Sequence, residues 1–208
     1  MPIRKARIML SWLVAIAAMS TGAQAVDTVP AATVKAIVAE PLVTPVVGSA
    51  QGDVTVVEYF DYNCPVCRHL EPQLRKLVLG DPQVRLIRKD WPVFGDASVY
   101  AAYCVFAAAR EGKYAAAHDA LIGSTKDLDS RQDVQQVLRD AGLDLHRIDA
   151  DIALHESEYA AILARNKREA AGLGLRGTPG LMVGNQLAPG GMDAAQLKSL
   201  VQRARQGS

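Results

Sequence analysis

The stretch that decides the fold is VVEYFDYNCPVCRHLEP, residues 56–72, in which an apolar run ends at two cysteines separated by two residues. Residues 53–60 are β-branched and aromatic and are apolar on both faces, which is typical of a central strand buried on both sides. From Pro65 the apolar spacing becomes helical. The sequence therefore predicts that Cys64 lies where a strand passes into a helix, with the carboxylate of Glu58 inside the buried strand.

The predicted position of Cys64 at a helix N-terminus indicates a reactive thiol. The free N–H groups and partial positive charge of a helix N-terminus stabilise an anion, and cysteines in CxxC motifs have pKa values of about 3.5 to 7. Pro65 suits the first helical turn, because its missing N–H would be unpaired there. Cys67, one turn further along, is expected to be less exposed and to resolve a mixed disulfide formed at Cys64.

Two other interpretations of the cysteine pair are weaker. A zinc site needs further ligands, and the sequence contains no second CxxC and no HxxxH. A passive disulfide across two residues closes a loop too short to constrain the unfolded chain much. The third cysteine, Cys104, lies in an apolar helical run and is expected to fill the core as a small hydrophobic residue. We therefore expect no metal ion, and a metal-carrying protein that uses Cys64, Cys67 and Cys104 stays an outside alternative.

The N-terminus has the layout of a secretory signal peptide. Arg4, Lys5 and Arg7 precede an apolar stretch over residues 8–19, and residues 23–25 form a small-x-small cleavage site. The apolar stretch is shorter than the roughly 20 residues of a membrane-spanning helix, which favours cleavage over anchoring. Export implies an oxidising compartment, and the three-part signal suits a bacterial periplasm.

The remaining patterns divide the 208 residues into five regions. In chain order these are a signal peptide (1–25), an N-terminal arm or linker with one short helix (26–50), a strand–helix–strand unit (51–95), a block of helices (96–171) and a strand–strand–helix unit (172–208). Ser130 and Gly142 are expected to start and end a helix within the block. The second strand of the last unit, within 185–190, has the weakest signal.

Composition excludes several classes of protein. Half of the residues are apolar and the formal net charge is +1, which suits one globular domain with or without an insertion. Lys and Arg are scattered rather than clustered on a face, so no nucleic-acid partner is expected. Residues 26–50 are broken by prolines and lack a heptad pattern, which favours a monomer.

The motif EYFDYNCPVC after a strand, together with GTPG (177–180) before another strand, resembles the DsbA family of bacterial periplasmic thiol:disulfide oxidoreductases within the thioredoxin superfamily. The resemblance covers about residues 50–206. It implies an α/β thioredoxin fold whose two halves, 51–95 and 172–208, are separated by an inserted helical domain, 96–171.

The same resemblance implies the function. The protein would exchange disulfides with unfolded or reduced cysteine-containing secreted proteins in the periplasm and would be recycled by a membrane redox partner. Its redox centre would be the Cys64–Cys67 disulfide, with no further cofactor. A dithiol oxidase is the first expectation, and a disulfide isomerase or reductase kept reduced by a membrane partner is the alternative.

Glu58 matches a buried carboxylate that lies six residues before the first cysteine in this superfamily. The resemblance implies that Glu58 takes and returns the proton of Cys67, and burial would raise its pKa toward neutrality. The alternative is a glutamate at a strand edge that reaches water. Lys89 matches, more loosely, a lysine that pairs with this carboxylate; a solvated lysine at a strand end is the alternative.

The resemblance also assigns the substrate side of the site. Thr178 and Pro179 match a cis-proline loop that faces the CxxC and presents its backbone to an extended substrate. Pro65 and Val66, between the cysteines, would lie against the same substrate. His69 could tune Cys64, although a surface histidine is the simpler expectation.

Two features depart from the best-known DsbA pattern and leave the direction of exchange open. The dipeptide between the cysteines is Pro-Val, without a histidine to stabilise the Cys64 thiolate, and the residue before the cis-proline is threonine, which also occurs in isomerases and reductases of the superfamily. Elsewhere, Trp91 and Phe94 are expected in the core, and His118 shows no ligand spacing.

Overall fold

The structure is a computed structural model that describes residues 28–39 and 43–207, so the predicted signal peptide lies outside the described residues. Within these two ranges no helix is both long enough and apolar enough to cross a lipid bilayer. The helices are α1 (Ala31–Ala39), α2 (Pro65–Gly80), α3 (Asp96–Arg110), α4 (Tyr114–Ile122), α5 (Arg131–Asp140), α6 (Leu145–Gly172) and α7 (Ala194–Gln206). The strands are β1 (Val47–Gly48), β2 (Val54–Phe60), β3 (Val84–Asp90), β4 (Gly180–Val183) and β5 (Gln186–Pro189).

The five strands form one mixed sheet in the order β1-β3-β2-β4-β5. The central strand β2 runs parallel to β3 and antiparallel to β4, while β1 and β5 pair antiparallel at the two edges. The weakly predicted strand within 185–190 is present as β5. This arrangement confirms the expected α/β fold, with its two halves separated in the sequence by helices α3 to α6.

The alternation of side chains along β2 divides the core into two layers. Val54 and Val56 pack with apolar residues of α2 and α7 on one face. Val57 and Tyr59 pack on the other face with Ile37 of α1 and residues near the end of α6. Both faces of β2 are therefore buried, as its apolar sequence predicted, and Glu58 belongs to the face covered by α2.

The inserted helices form a core of their own, which reaches the cysteines. Cys64 and Cys67 pack in the same apolar cluster as Cys104 and other residues of the insert. The predicted helix start at Ser130 is confirmed, because Ser130 and Asp133 form a reciprocal capping box at the N-terminus of α5. Gly142 follows the end of this helix with φ of 78°, a left-handed conformation that favours glycine.

The N-terminal segment is tied to the sheet rather than free of it. Thr28 forms a bridge with Gln186 of β5, and Val47 of β1 pairs with Leu86 of β3. A strand of two residues carries too little alternation to be recognised in a sequence. For this reason β1 was not predicted.

Candidate active site

Cys64 is the N-cap residue of α2, and Pro65 occupies the first turn, where the spacing predicted them. The Sγ atom of Cys64 accepts a hydrogen bond from the Cys67 N–H at 3.3 Å. The Cys64 thiol also donates a hydrogen bond to the Thr178 carbonyl at 3.2 Å. The hydrogen bond with the Cys67 thiol, supported by Thr178 and by the N–H groups of the first turn, lowers the pKa of Cys64 to about 6. The Cys64 sulfur is therefore stabilised as a thiolate at neutral pH.

Cys67 behaves in the opposite way. Its side chain is 0% exposed, and burial, followed by the hydrogen bond with Cys64, raises the pKa of its thiol far above the ordinary value. A thiol in this state needs a base to become a nucleophile. Both cysteines are buried, Cys64 with 2% exposure, so the expectation that Cys64 is the exposed sulfur is wrong. They differ in ionisation, with Cys64 stabilised as a thiolate and Cys67 held as a protonated thiol.

Glu58 supplies a group that can act as this base. It is only 2% exposed, which excludes the alternative of a strand-edge glutamate that reaches water. Burial raises the pKa of Glu58 to about 8, although the nearby Arg88 guanidinium works to lower it. The carboxyl can therefore gain or lose a proton near neutral pH, and electrostatic coupling to Glu58 in turn helps to raise the pKa of Cys67.

The loose match of Lys89 to a partner of Glu58 is wrong. In the parallel pairing of β2 and β3, Glu58 is opposite Arg88, and Lys89 is opposite Tyr59 on the other face of the sheet. The Arg88 Nε lies 3.6 Å from Glu58 Oε2, whereas Lys89 Nζ bonds Glu169 of α6 at 2.5 Å. The side-chain period of two in a strand makes the difference, since a shift of one residue changes the face.

Arg88 connects Glu58 to a second buried carboxylate that the sequence analysis missed. Its Nη2 donates to both oxygens of Glu71, at 2.8 and 2.7 Å. Burial works to raise the pKa of Glu71, but hydrogen bonding and charge from His118 and Arg88 hold it below the ordinary value. Glu71 follows Cys67 by four residues on α2, so it lies one turn along the same helix face. The spacing of four residues between Cys67 and Glu71 is the sequence feature that could have identified Glu71 as part of the site.

One group of possible metal ligands lies close together among the described residues. The ligand atoms of Glu71, His118 and Asp119 are within 4.8 Å of one another. However, Arg75 Nη2 bonds Asp119 at 2.6 Å, and Arg88 binds Glu71. Two guanidinium groups therefore already neutralise these carboxylates, and their charge disfavours a metal cation at this position.

The substrate side of the site brings the predicted residues together. The Thr178–Pro179 peptide bond is cis, and the Thr178 carbonyl faces Cys64 Sγ. Pro65 is exposed beside Cys64, and Val66 is 45% exposed. An extended chain that lies along Pro65, Val66 and the Thr178 backbone would be next to the Cys64 sulfur, which is itself only 2% exposed.

The loop after β3 adds apolar surface to this region. Trp91 is buried as expected, but Phe94 is 52% exposed, so its expected place in the core is wrong. Asp61 Oδ2 accepts hydrogen bonds from the N–H groups of Val93 and Phe94, at 2.6 and 3.0 Å. Asp61, three residues before Cys64, thus holds two exposed apolar side chains next to the motif.

The segment before the cysteines is also fixed to the helical insert. The Asn63 amide donates to the Leu128 carbonyl at 2.7 Å and accepts from the Leu128 N–H at 3.0 Å. Arg68 donates to the carbonyl of Tyr62 at 2.7 Å and to that of Lys126 at 3.0 Å. The insert therefore positions the N-terminus of α2, a role that no local sequence signal predicted.

The surroundings of His69 and Cys104 differ from those of the cysteine pair. His69 is exposed on α2, whereas Cys67 and Leu70 of the same helix are buried. Cys104 is completely buried in α3, and burial raises the pKa of its thiol to about 12. Cys104 has the surroundings of a packing residue, while a tuning role for His69 stays a prediction.

Comparisons with known proteins identify relatives with this architecture. The DSBA-like thioredoxin domain family matches residues 55–202. A thioredoxin-like oxidoreductase from Silicibacter pomeroyi is 38% identical, with a TM-score of 0.78 and coverage of 84% of this chain and 98% of that one. A periplasmic thioredoxin-like protein from Salmonella enterica serovar Typhimurium is 26% identical, with a TM-score of 0.71 and coverage of 86% and 98%.

Two curated proteins align with about three quarters of the chain. The thiol:disulfide interchange protein DsbA of Salmonella typhi is 27% identical over 161 residues, which are 73% of this chain and 77% of that protein. The Na(+)/H(+) antiporter NhaA 3 of Salinispora tropica is 29% identical over 160 residues. The matching region spans only 24% of the antiporter's length.

Proposed function

The chain belongs to the DSBA-like thioredoxin domain family, a family of thiol:disulfide oxidoreductases, and from this premise we propose that it acts in the periplasm as a dithiol oxidase of cysteine-containing proteins. The predicted export signal over residues 1–25 and the likeness to a periplasmic thioredoxin-like protein support the compartment. The redox centre is the Cys64–Cys67 pair, which alternates between dithiol and disulfide and needs no further cofactor.

The observation that carries this proposal is the contrast between the two cysteines. Hydrogen bonds at the N-terminus of α2 lower the pKa of Cys64 to about 6, while burial raises that of Cys67. A stabilised Cys64 thiolate favours the dithiol form of the protein, so the disulfide form tends to accept electrons from a client. This tendency is what an oxidase requires.

The proposed reaction balances in two steps. A client thiolate attacks Cys64 Sγ and breaks the Cys64–Cys67 bond, so Cys67 leaves as a thiolate and takes the proton held by Glu58. A second client thiolate then attacks the client sulfur of the mixed disulfide, and Cys64 leaves as a stabilised thiolate. The client gains one disulfide, and the protein gains the two electrons.

The client is held as an extended strand in this proposal. The Thr178 carbonyl and the exposed side chains of Val66, Val93 and Phe94 offer backbone and apolar contacts beside Cys64. These contacts select no particular sequence, which suits unfolded, reduced clients. A membrane redox partner would reoxidise Cys64 and Cys67 at the same surface, and the protein would act as a monomer.

A reductase or isomerase that is kept reduced by a membrane partner is the second candidate. Thr178 before the cis-proline favours it, and so does the absence of a histidine between the cysteines. The reduction potential against a glutathione buffer separates the two roles. An oxidase is expected to lie nearer to about −120 mV and a reductant near about −270 mV. A value at the thioredoxin end would contradict the oxidase role and leave the exchange chemistry intact.

A further inference from the structure

A group of buried polar side chains lies between α2, β3 and α4. Within it Tyr114 Oη has no hydrogen-bond partner among the described residues. Glu58 Oε2 and Arg88 Nε are 3.6 Å apart and His118 Nε2 is 3.6 Å from Glu71 Oε2, so these three atoms have ionic neighbours but no partner within hydrogen-bond distance. Buried polar atoms in native proteins are almost always bonded to protein or to ordered water. Four such atoms in one group therefore point to water inside the protein at this place.

A cavity gives water a route to Arg88, Tyr114 and His118, and Arg88 is the neighbour of Glu58. It has a volume of about 380 Å³, and its lining includes Arg88, Tyr114 and His118 in the interior. The same lining includes Leu79, which is 81% exposed, and Asp119, which is also exposed. The cavity thus extends from the surface to the buried polar group, and its volume is ample for several water molecules.

The proposed function requires proton movement along such a route. Glu58 gives a proton to Cys67 in one direction of exchange and takes it in the other, and it must return to its starting state before the next turnover. Glu58 is almost completely buried. Arg88, its neighbour, cannot relay a proton, because a guanidinium is not deprotonated in proteins and offers no acceptor.

His118 has the geometry of a proton relay. Its Nδ1 lies 3.0 Å from the hydroxyl of Tyr62, and its Nε2 lies 3.6 Å from Glu71 Oε2. The ionised Glu71 can only accept, which favours the tautomer with the proton on Nε2 and leaves Nδ1 to accept from Tyr62. A proton can therefore enter the ring at one nitrogen and leave from the other.

The charges around His118 keep its ring neutral. Burial lowers the pKa of His118, and Arg88 of β3 acts in the same direction. Glu71 of α2 and Asp119 of α4 act in the opposite direction. A neutral imidazole is both a donor and an acceptor, whereas an imidazolium is only a donor.

We propose that His118, a residue of the helical insert, is the group through which Glu58 exchanges its proton with water in this cavity. The proton passes between Glu58 and the interior water, then through the Tyr62 hydroxyl and the His118 ring, and leaves at Nε2 to cavity water beside Glu71. His118 contacts neither reacting sulfur, so it acts through Glu58. The inference rests on the proposed function, because it serves the proton transfer to and from Cys67.

The test uses the reduced full-length protein and a disulfide-bonded peptide, and it follows the attack by Cys64 and the resolution by Cys67 separately. Below about pH 8 most Glu58 is protonated and must lose its proton before Cys67 can be activated. His118→Asn keeps a polar atom near Nδ1 but cannot relay. It is expected to slow resolution about tenfold or more below pH 8, to leave the attack by Cys64 unchanged, and to approach the wild-type rate above about pH 9.

Two further variants make the result specific. His118→Gly opens space at the cavity, so added imidazole should restore its resolution rate but not that of His118→Asn. If His118→Gly does not fold, the pH profile of resolution in His118→Asn still tests whether His118 relays the proton. His146→Asn, an exposed histidine of α6, is the matched control and should behave as the wild type.

Two outcomes overturn the inference. One is wild-type resolution by His118→Asn at every pH. The other is equal slowing of both steps at every pH without rescue of His118→Gly by imidazole, since that is the signature of a structural role. A wild-type protein without any exchange activity would instead contradict the proposed function, which keeps the two failures distinct.

Discussion

At the scale of single residues, the ionisation of Cys64 controls the chemistry and is open to direct measurement. Thiolate absorbance of the reduced protein should rise with a midpoint near pH 6, because the Cys67 thiol and the first turn of α2 stabilise the anion. Cys64→Ser should remove this step, and Cys67→Ser should leave a step below the free-thiol value. A wild-type midpoint near pH 8.5 would refute stabilisation by the helix terminus.

The same ionisation should make the stability of the reduced protein depend on pH. The pKa of Cys64 falls from 9.0 to about 6 on folding, so the unfolded state binds more protons between these values and stability rises with pH across this window. The contribution is fully present above about pH 9 and is lost as the pH falls through about 6. The oxidised protein lacks the thiolate and should not show this dependence.

Glu58 makes the stability of the protein depend on pH in the opposite direction. Its pKa rises from 4.5 to about 8 on folding, so it lowers stability progressively as the pH rises between these values. Glu58→Gln should therefore stabilise the protein by on the order of 4 kcal/mol at pH 8 and by almost nothing below pH 4.5. Urea unfolding at the two pH values measures the difference. Equal effects at both would show that Glu58 is not buried as a neutral acid.

Arg88 and Lys89 provide a matched pair for testing the partner of Glu58. Arg88→Gln removes the charge that lowers the pKa of Glu58, so the pH profile of the resolution step should move to higher pH. It also removes the two charged hydrogen bonds that Arg88 makes to Glu71. The free energy of unfolding of the Arg88→Gln variant should fall by about 3–5 kcal/mol. Lys89→Gln breaks the pair with Glu169 on the other face and should cost stability without moving the profile. A shift with Lys89→Gln alone would contradict the register argument.

At the scale of secondary-structure elements, the insert holds the first turn of α2 through Asn63. Asn63→Ala removes both hydrogen bonds to the Leu128 backbone and should destabilise the protein by about 1–3 kcal/mol. It should also lower the rate at which Cys64 reacts with a small disulfide, since the approach to the motif becomes less ordered. Calorimetry and a stopped-flow thiol assay check the two effects, and an unchanged rate would limit Asn63 to a structural role.

The elements also show how much of the fold could be predicted. The strand over 53–60, the helix start at Pro65 and the capping box at Ser130 have local signals, so periodicity and capping chemistry predicted them correctly. The strand β1 is formed by pairing with β3, and its two residues carry no such signal. The same division between local signals and long-range contacts holds for the residues of the site.

Glu58 and the cysteines were predicted because their spacing is local. Arg88 was missed in favour of Lys89, because the choice depends on the register between β2 and β3 and not on residue type. His118 was missed because only the packing of α4 against α2 brings it near Glu71. Contacts between elements distant in the sequence are where single-sequence reasoning fails.

At the scale of the whole molecule, the sheet supplies Glu58 and Arg88, α2 supplies the cysteines, and the insert packs against both. Cys104 shares one apolar cluster with Cys64 and Cys67 but is sealed from solvent. All three cysteines are buried, and Cys64 differs by its place at the N-terminus of α2, next to the exposed Pro65 and Val66 and to the Thr178 carbonyl. Cys64 is therefore the sulfur that a client bound along this surface would meet. Which sulfur joins the client is therefore the central claim.

Trapping of clients in the periplasm tests this claim most directly. Cys67→Ala is expressed with its export signal, and non-reducing gels should show adducts that collapse when reductant is added, because Cys67 can no longer release a client bound to Cys64. The adducts should vanish in Cys64→Ala/Cys67→Ala and persist in Cys104→Ala/Cys67→Ala. Adducts that require Cys104, or that survive the loss of Cys64, would contradict the account.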